Sequence, residues 1–249
     1  MKTEERIFSG VRAVVFDKDG TLIDFDAFWV SVSERAIDVI FEKLGVTDGA
    51  KIKEEILSAF GVTDGVIDID GVLCKGTYLQ MSDIVYNILT NHGFSTDADA
   101  LYKLLLDSYE KSTEHGTVLP TCEGLKDTLE WLRAQGASLF VVTTDNYPIT
   151  KKCLIKLGIF ELFDRIYCDD GVMPTKPNPA AINDICKCCN FEKSEIVMVG
   201  DTMTDILFAK AGGAFAISVS KNEKNRARLA PKADLVISEI SDLVRHIER

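Results

Sequence analysis

Short apolar runs that each stop at a polar cluster constrain the fold of this chain more than any other feature of its sequence. The three strongest runs are VRAVVF at 11–16, ASLFVV at 137–142 and EIVMV at 195–199. Three weaker candidates lie at 164–168, 214–219 and 233–237. Because such runs are apolar at nearly every position, they predict parallel strands that are buried on both faces of a sheet.

Helical patterns alternate with these predicted strands after about residue 118. The amphipathic segments lie at 122–135, 147–157, 178–189, 203–211 and 240–247. Alternating strands and helices indicate an α/β fold. We therefore predict a Rossmann-like parallel sheet as the core of the molecule.

The stretch at 22–117 differs from the rest, because helical patterns dominate it and strand signals are few. The predicted helices lie at 26–44, 52–60, 80–92 and 98–111, and the short strand signal is VIDIDGVL at 66–73. We predict that residues 1–21 and 118–249 form the α/β core. Residues 22–117 would then form a helical domain inserted after the first strand.

The charge balance argues against nucleic acid as a partner. The formal net charge is −11, whereas a protein that binds nucleic acid regardless of sequence needs a positive surface. The apolar runs fall far short of the roughly 18 residues needed to cross a bilayer. The first segment, MKTEERIFSG, lacks the apolar region of a signal peptide. These patterns predict a cytoplasmic protein that binds neither nucleic acid nor membrane.

Seven cysteines are scattered through the chain. The odd number favours a reducing compartment over a disulfide framework. Cys186 and Cys189 form a CxxC pair, but no second pair or histidine lies at the spacing of a zinc site. We expect buried or half-buried thiols rather than a metal or redox site.

Carboxylates follow two of the predicted strands. Asp17 and Asp19 come directly after the first run, and residues two apart in extended chain project to the same side. Asp201 and Asp205 are four apart at a predicted helix start and can also share a face. Since parallel strands bring their carboxyl ends to one edge, these four acids would repel one another unless a hard cation joined them. A few carboxylates with waters and a substrate phosphate suit Mg²⁺.

A hydroxyl and a lysine join the predicted site. Thr143 follows the second strong run, and Lys176 lies in PTKPNP at 174–179, where the prolines restrict the backbone and help to aim the side chain. Positioned donors and cations stabilise the oxygens of a phosphoryl group during its transfer. The set therefore predicts phosphoryl chemistry at the edge of the sheet.

Four segments together resemble the motifs of the haloacid dehalogenase superfamily of hydrolases. They are DKDGT at 17–21, Thr143 after its hydrophobic strand, Lys176 in KPNP and GDTMTD at 200–205. The insertion at 22–117 is similar to the helical cap of the phosphoglycolate phosphatase-like branch. The resemblance implies that this cap closes over the site and reads the leaving group.

The resemblance also implies a role for each acid. Asp17 would be the nucleophile that attacks phosphorus and becomes phosphorylated. Asp19 would protonate the leaving oxygen and then activate the water that hydrolyses the aspartyl-phosphate. Asp17, the backbone carbonyl of Asp19 and Asp201 would hold Mg²⁺, and Asp205 would support that site directly or from behind it.

The implied phosphate contacts come from four residues. Thr143 and Lys176 would bind the transferring phosphoryl group, and backbone N–H groups near Gly20 and Thr144 would assist. In the cap, Lys75 within DGVLCKGT at 70–77 is the candidate for contact with an anionic leaving group. The alternative for this segment is an exposed turn without such a role.

Three positions depart from the usual pattern of the superfamily. Lys18 stands where an apolar residue is common, and its charge must find a partner if it points away from the site. Thr144 occupies a position that Asn often holds, and Asp145 adds an acid beside it.

The activity expected from this resemblance is that of a phosphoric monoester hydrolase on a small phosphorylated metabolite, such as phosphoglycolate or a sugar phosphate. A sugar phosphomutase of the same fold is the alternative, because the same acids serve both reactions. A signalling module with a phosphorylated aspartate is a weaker alternative, since such modules place the acid pair and the phosphorylated residue after different strands. Dehalogenases and phosphonate-cleaving relatives are disfavoured because they lack the second acid, which is present here as Asp19.

Overall fold

The computed structural model describes residues 8–47, 49–68, 71–169 and 171–248. Contacts within the chain divide them into two compact units. The first unit contains the described residues up to Asp24 and those from Val118 onward, and the second is Phe25–Thr117.

Strands and α-helices alternate along the first unit, and helices dominate the second. In chain order the described elements are β1 (Ala13–Phe16), α1 (Phe25–Leu44), α2 (Ala50–Ala59), β2 (Val62–Thr63), β3 (Val66–Ile67), α3 (Val72–Lys75), α4 (Tyr78–Asn91), α5 (Ala98–Thr113), α6 (Leu125–Ala134), β4 (Ser138–Val142), α7 (Tyr147–Lys156), β5 (Arg165–Tyr167), α8 (Ala180–Cys189), β6 (Ile196–Gly200), α9 (Met203–Gly212), β7 (Phe215–Val219), α10 (Glu223–Leu229) and β8 (Leu235–Ile237). Short 3₁₀ helices occupy Phe160–Leu162, Lys193–Glu195 and Ile240–Arg245.

A six-stranded parallel sheet organises the first unit, with the strand order β5-β4-β1-β6-β7-β8. The central strand β1 pairs with β4 on one side and with β6 on the other, so that Phe16 lies opposite Val141 and Val199. The residues that follow these three strands therefore emerge side by side at one edge of the sheet. The expected α/β fold with a Rossmann-like parallel sheet is confirmed.

The apolar character of the strands is explained by burial on both faces of the sheet. Val14 and Phe16 project to the opposite face from Ala13 and Val15, and all four are fully buried. On the face of Ala13 and Val15, the strands pack against side chains of α8 and α9. These helices approach so closely that a β-carbon on Gly212 would lie 2.4 Å from Ile182 Cδ1.

Helix caps set the start of two helices that border the carboxyl edge of the sheet. Asn146 accepts a hydrogen bond from the Ile149 backbone at the start of α7, where Pro148 occupies the first turn. Thr202 and Asp205 form a reciprocal capping box at the start of α9. These caps fix the residues at which the loops after β4 and β6 end and the helices begin.

The second unit is an assembly of helices with one small hairpin. Helices α1 and α5 pack against each other, and their contact buries Phe28, Leu105 and Tyr109. Strands β2 and β3 form a two-stranded antiparallel ladder. The backbone N–H of Ile67 in β3 donates to Asp26 in α1 at 3.2 Å, which joins the hairpin to the helix.

The predicted helices and strands agree with the structure apart from small shifts at their ends and four local differences. One difference is α10 (Glu223–Leu229), which was not predicted. The helix expected at 240–247 is a 3₁₀ helix over Ile240–Arg245. The hairpin of β2 and β3 and the short α3 were largely missed, because the weak strand signal at 66–73 spans both a strand and a helix. In the described part of the chain, no helix combines the length and apolar character that a membrane span requires.

The core predicts a contrast between two neighbouring residues of α9. Phe208 is fully buried, whereas Leu207 is 50% exposed. Phe208→Ala should lower the free energy of unfolding by about 3–5 kcal/mol, since it removes an aromatic side chain from a packed core. Leu207→Ala, the matched control, should cost less than about 1 kcal/mol. Urea unfolding followed by circular dichroism measures both, and equal losses would contradict the different burial of the two side chains.

Candidate active site

Three acids meet at the carboxyl edge of the sheet, with Asp17 and Asp205 buried and Asp201 half-buried. Asp17 follows β1 and Asp201 follows β6, while Asp205 lies in the first turn of α9. One carboxylate oxygen of each lies within 4.8 Å of those of the other two. Asp17 is further fixed because its backbone N–H donates to the carbonyl of Val199 at 2.9 Å.

The close approach of these acids changes their ionisation. Burial, together with the charge of Asp205, raises the pKa of Asp17 to about 7 despite the opposing charge of Lys176. Burial and the charges of Asp17 and Asp205 raise the pKa of Asp201 well above its usual range. Hard carboxylate oxygens grouped in this way can hold a divalent cation such as Mg²⁺, which would relieve their repulsion.

Lys176 is the cation of this cluster. Its ammonium group donates to Asp17 Oδ1 and, at 2.7 Å, to Asp205 Oδ1, and its side chain is almost wholly buried. Burial alone would lower the pKa of Lys176, but the charges of Asp17 and Asp205 outweigh that effect and raise it. Lys176 therefore remains charged at the edge of the sheet.

Asp205 is held in place by two partners. While Lys176 binds Oδ1, the backbone N–H and the hydroxyl of Thr202 donate to Oδ2 at 3.0 and 2.6 Å. Sequence reasoning overlooked Thr202, although a Thr three residues before an acid at a helix start is a recognisable capping signal. Both oxygens of Asp205 thus take part in contacts that support the site.

Glycine 20 makes room for Asp201. The residue has a φ of 79°, and a β-carbon there would lie 2.3 Å from Asp201 Oδ2. The turn also places the Thr21 hydroxyl 3.4 Å from Asp201 Oδ1. On the other side, the Asn225 side chain donates to the Asp201 backbone carbonyl at 3.2 Å, a contact that no short motif indicated.

Asp19 belongs to a second charged group beside the first. The Lys18 ammonium lies 2.7 Å from Asp19 Oδ1 and 3.0 Å from Asp145 Oδ2. The expectation that all four acids converge on one point is therefore only partly met, because the Asp19 side chain is paired with Lys18. The partner that Lys18 required is Asp19 itself, together with Asp145.

The predicted phosphate contacts lie along the same edge. Thr143 is buried, its hydroxyl accepts from the Asp145 backbone N–H at 3.1 Å, and its own N–H donates to Tyr167. Thr144 is exposed, and Gly20 is half-buried. Lys75 ends α3, but its side chain lies outside the described part of the structure.

The cysteines do not form a metal site among the described residues. Cys186 and Cys189 are half-buried, as expected, and pack against the core of the first unit. Cys122, Cys153 and Cys168 are buried, whereas Cys74 and Cys188 are exposed. Among the described residues, the side chains grouped closely enough to bind a metal ion are those of Asp17, Asp201 and Asp205.

A Rossmann-like sheet with acids and a buried lysine at its carboxyl edge defines an α/β enzyme with an acidic centre. The family model for haloacid dehalogenase-like hydrolases matches residues 11–213. The chain belongs to this family. The family expected from the four motifs is thus confirmed, and the protein is a hydrolase.

Individual proteins resemble the chain over almost its whole length. A phosphoglycolate phosphatase of Pseudomonas fluorescens is 28% identical and aligns with 98% of this chain and 83% of its own. A Thermotoga maritima protein assigned by prediction as a beta-phosphoglucomutase has a TM-score of 0.65 at 18% identity, with 94% and 97% of the two chains covered. A Bacillus subtilis protein assigned by prediction as a hydrolase of this family, and bound to magnesium, has a TM-score of 0.63 at 20% identity, with 94% and 96% covered.

The raised pKa of Asp17 predicts how stability depends on pH. Between about pH 4 and pH 7 the folded protein keeps a proton on Asp17 that the unfolded chain releases, since the pKa is 3.8 in the unfolded chain and about 7 in the folded one. With a chelator present, raising the pH through this range should therefore lower the free energy of unfolding. Asp17→Asn should make the decline shallower in urea titrations at several pH values. Identical slopes for the two proteins would contradict the prediction.

Proposed function

We propose that the protein is a phosphoric monoester hydrolase that works through an aspartyl-phosphate on Asp17. The observation that carries this proposal is the position of Asp17, buried at the centre of the sheet edge and bound to the Lys176 ammonium. A carboxylate in that position has a fixed direction of attack and a cation beside the site of transfer. The family match and the phosphatase names of its curated relatives support the same reaction.

The first step forms the phosphoenzyme. One oxygen of Asp17 is held by Lys176, and the other attacks the phosphorus of the ester. The bond from phosphorus to the ester oxygen breaks, and Asp19 gives that oxygen a proton so that it leaves as an alcohol.

The second step returns the enzyme to its starting state. The Asp19 carboxylate takes a proton from a water molecule, whose oxygen attacks the phosphorus of the aspartyl-phosphate. The bond from phosphorus to Asp17 breaks, inorganic phosphate leaves, and Asp19 carries the proton for the next cycle. One residue thus serves as acid and then as base.

Residues around Asp17 bind the transferring group. We assign Lys176 and the Thr143 hydroxyl to the phosphoryl oxygens, with backbone N–H groups near Gly20 and Thr144. The burial of Thr143 and Lys176 supports this assignment, because charge and hydrogen bonds act more strongly where water is excluded.

Magnesium fits the donor set of the acid cluster. The ion would be held by Asp17, Asp201 and the backbone carbonyl of Asp19. Asp205 would lie behind these ligands, since its two carboxylate oxygens already contact Lys176 and Thr202. The bound ion would supply positive charge that offsets the acids and the phosphate. The related Bacillus subtilis structure contains magnesium, which supports this choice.

The substrate we propose is a small phosphorylated metabolite, with phosphoglycolate or a sugar phosphate as the leading candidates. Phosphoglycolate is named for the curated relatives, and a sugar phosphomutase is named for one of the structural neighbours. We propose that the Phe25–Thr117 unit is the cap that selects the leaving group. Release of free phosphate equal to the substrate consumed would exclude the mutase as the main activity, and a screen of phosphorylated metabolites ranked by kcat/KM would identify the substrate.

Replacement of the nucleophile tests the proposal most directly. Asp17→Asn should reduce hydrolysis of an aryl phosphate more than about 10³-fold, because the neutral amide cannot form the aspartyl-phosphate. The matched control is Asp127→Asn, which changes an exposed acid on α6 and should leave the rate unchanged. Retention of most of the activity by a folded Asp17→Asn protein would defeat the assigned role.

Metal removal should abolish activity. Treatment with a chelator should stop hydrolysis, and added Mg²⁺ should restore it, because the acid cluster requires a counter-charge. Asp201→Asn should raise the Mg²⁺ concentration needed for half-maximal activity by at least about 10-fold. Unchanged turnover after exhaustive removal of metal would contradict a metal role for the cluster.

A further inference from the structure

Lys18 is a fully buried lysine immediately beside the candidate nucleophile. Its side chain has no exposed area, whereas the side chains of its partners Asp19 and Asp145 are 22% and 19% exposed. Removal of an ammonium group from water is costly, and a buried ion pair rarely stabilises a fold more than well-packed apolar residues do. Stability alone is therefore a weak reason for a lysine at this position.

The geometry makes Lys18 a bridge between the ends of two neighbouring strands. Its ammonium lies 2.7 Å from Asp19 Oδ1, in the loop after β1, and 3.0 Å from Asp145 Oδ2, in the loop after β4. The Lys18 backbone is also fixed, because its carbonyl accepts from the N–H groups of Leu22 and Ile23. The position of the ammonium is thus set from both ends of the side chain.

Asp145 provides a rigid anchor for this bridge. Its Oδ1 accepts from the Asn146 backbone N–H at 2.8 Å, and its own N–H donates to Thr143 at 3.1 Å. Its carbonyl accepts from Asp169 at 3.0 Å. The backbone N–H, the backbone carbonyl and both carboxylate oxygens of Asp145 therefore all have partners. Of these groups, Oδ2 is the one that fixes the Lys18 ammonium.

We propose that Lys18 is a positioning residue that holds the Asp19 carboxylate in the orientation needed for proton transfer. The inference rests on the proposed function, in which Asp19 gives a proton to the leaving oxygen. The site therefore contains two separate sets of ion pairs. Lys176 pairs with Asp17 and Asp205. Lys18 pairs with Asp19 and Asp145. Without Lys18, Oδ1 of Asp19 would lose this donor, and the group would no longer be fixed in its working position.

The role predicts a selective defect. A poor leaving group needs a proton from Asp19 to depart, so displacement of Asp19 should slow formation of the phosphoenzyme from such an ester. A good leaving group departs without the proton, so its ester should be affected little. Displacement of a catalytic group by about 1 Å can cost about 10²-fold in rate. Lys18→Met should therefore lower kcat/KM for phenyl phosphate by about 10- to 100-fold and that for para-nitrophenyl phosphate by less than about 3-fold.

The experiment compares kcat/KM for these two esters with Mg²⁺ present. This ratio reports the steps up to formation of the phosphoenzyme, so slower hydrolysis of the intermediate does not affect it. The matched control is Lys210→Met, which removes a lysine paired with Asp234 two helical turns into α9. That variant should leave the ratio of the two esters unchanged.

Two further variants separate positioning from a merely structural role. Lys18→Arg keeps a cation between the two acids and should restore much of the kcat/KM for phenyl phosphate that Lys18→Met loses. In an Asp19→Asn background, Lys18→Met should bring no further selective loss, because the positioned group is already gone. Should Lys18→Met fail to fold by circular dichroism, Asp145→Asn, which removes the anchor and keeps its shape, should show the same selective loss to a smaller degree.

The outcomes distinguish this inference from the proposed function. Equal losses for both esters in Lys18→Met, or in Asp145→Asn where the first variant is unfolded, would overturn the positioning role and leave the phosphatase proposal standing. Absence of hydrolysis by the wild-type protein toward both esters and toward phosphorylated metabolites would overturn the proposed function and this inference with it.

Discussion

The contact of the Lys176 ammonium with Asp17 and Asp205 is the interaction on which the site depends. Buried carboxylates this close together disfavour each other's charged forms. Lys176 offsets part of that repulsion and ties the end of β1 to the start of α9. Loss of the lysine would leave buried like charges without a partner, which is far more costly than loss of an exposed ion pair.

The parallel sheet supplies the rigid frame for this contact. Because β4 and β6 flank β1, the loops that carry Thr143, Asp17 and Asp201 begin side by side. The capping box of Thr202 and Asp205 adds the helix start to the same place. Catalytic groups held by strand ends and helix starts keep their geometry better than groups on long loops do.

The two buried lysines pair with different acids. Asp17 meets a cation at the centre of the cluster, the position at which the proposed mechanism needs a nucleophile and a metal ligand. Asp19 meets a different cation at the margin, where the proposed mechanism passes a proton to the leaving oxygen. A single cluster of four acids would give Asp17 and Asp19 similar surroundings, whereas the observed arrangement sets them apart.

The fold class and most residues of the candidate site were predicted from the sequence. Buried parallel strands are apolar at nearly every position, so β1, β4 and β6 are visible in the pattern, and the polar residues after them are brought together by the topology alone. Which acid meets which lysine became evident in the folded structure. The pairing of Lys18 with Asp19 and Asp145, and the support of Asp201 by Asn225, join residues between 1 and 127 positions apart. Such contacts depend on side-chain directions in loops, which no periodic pattern encodes.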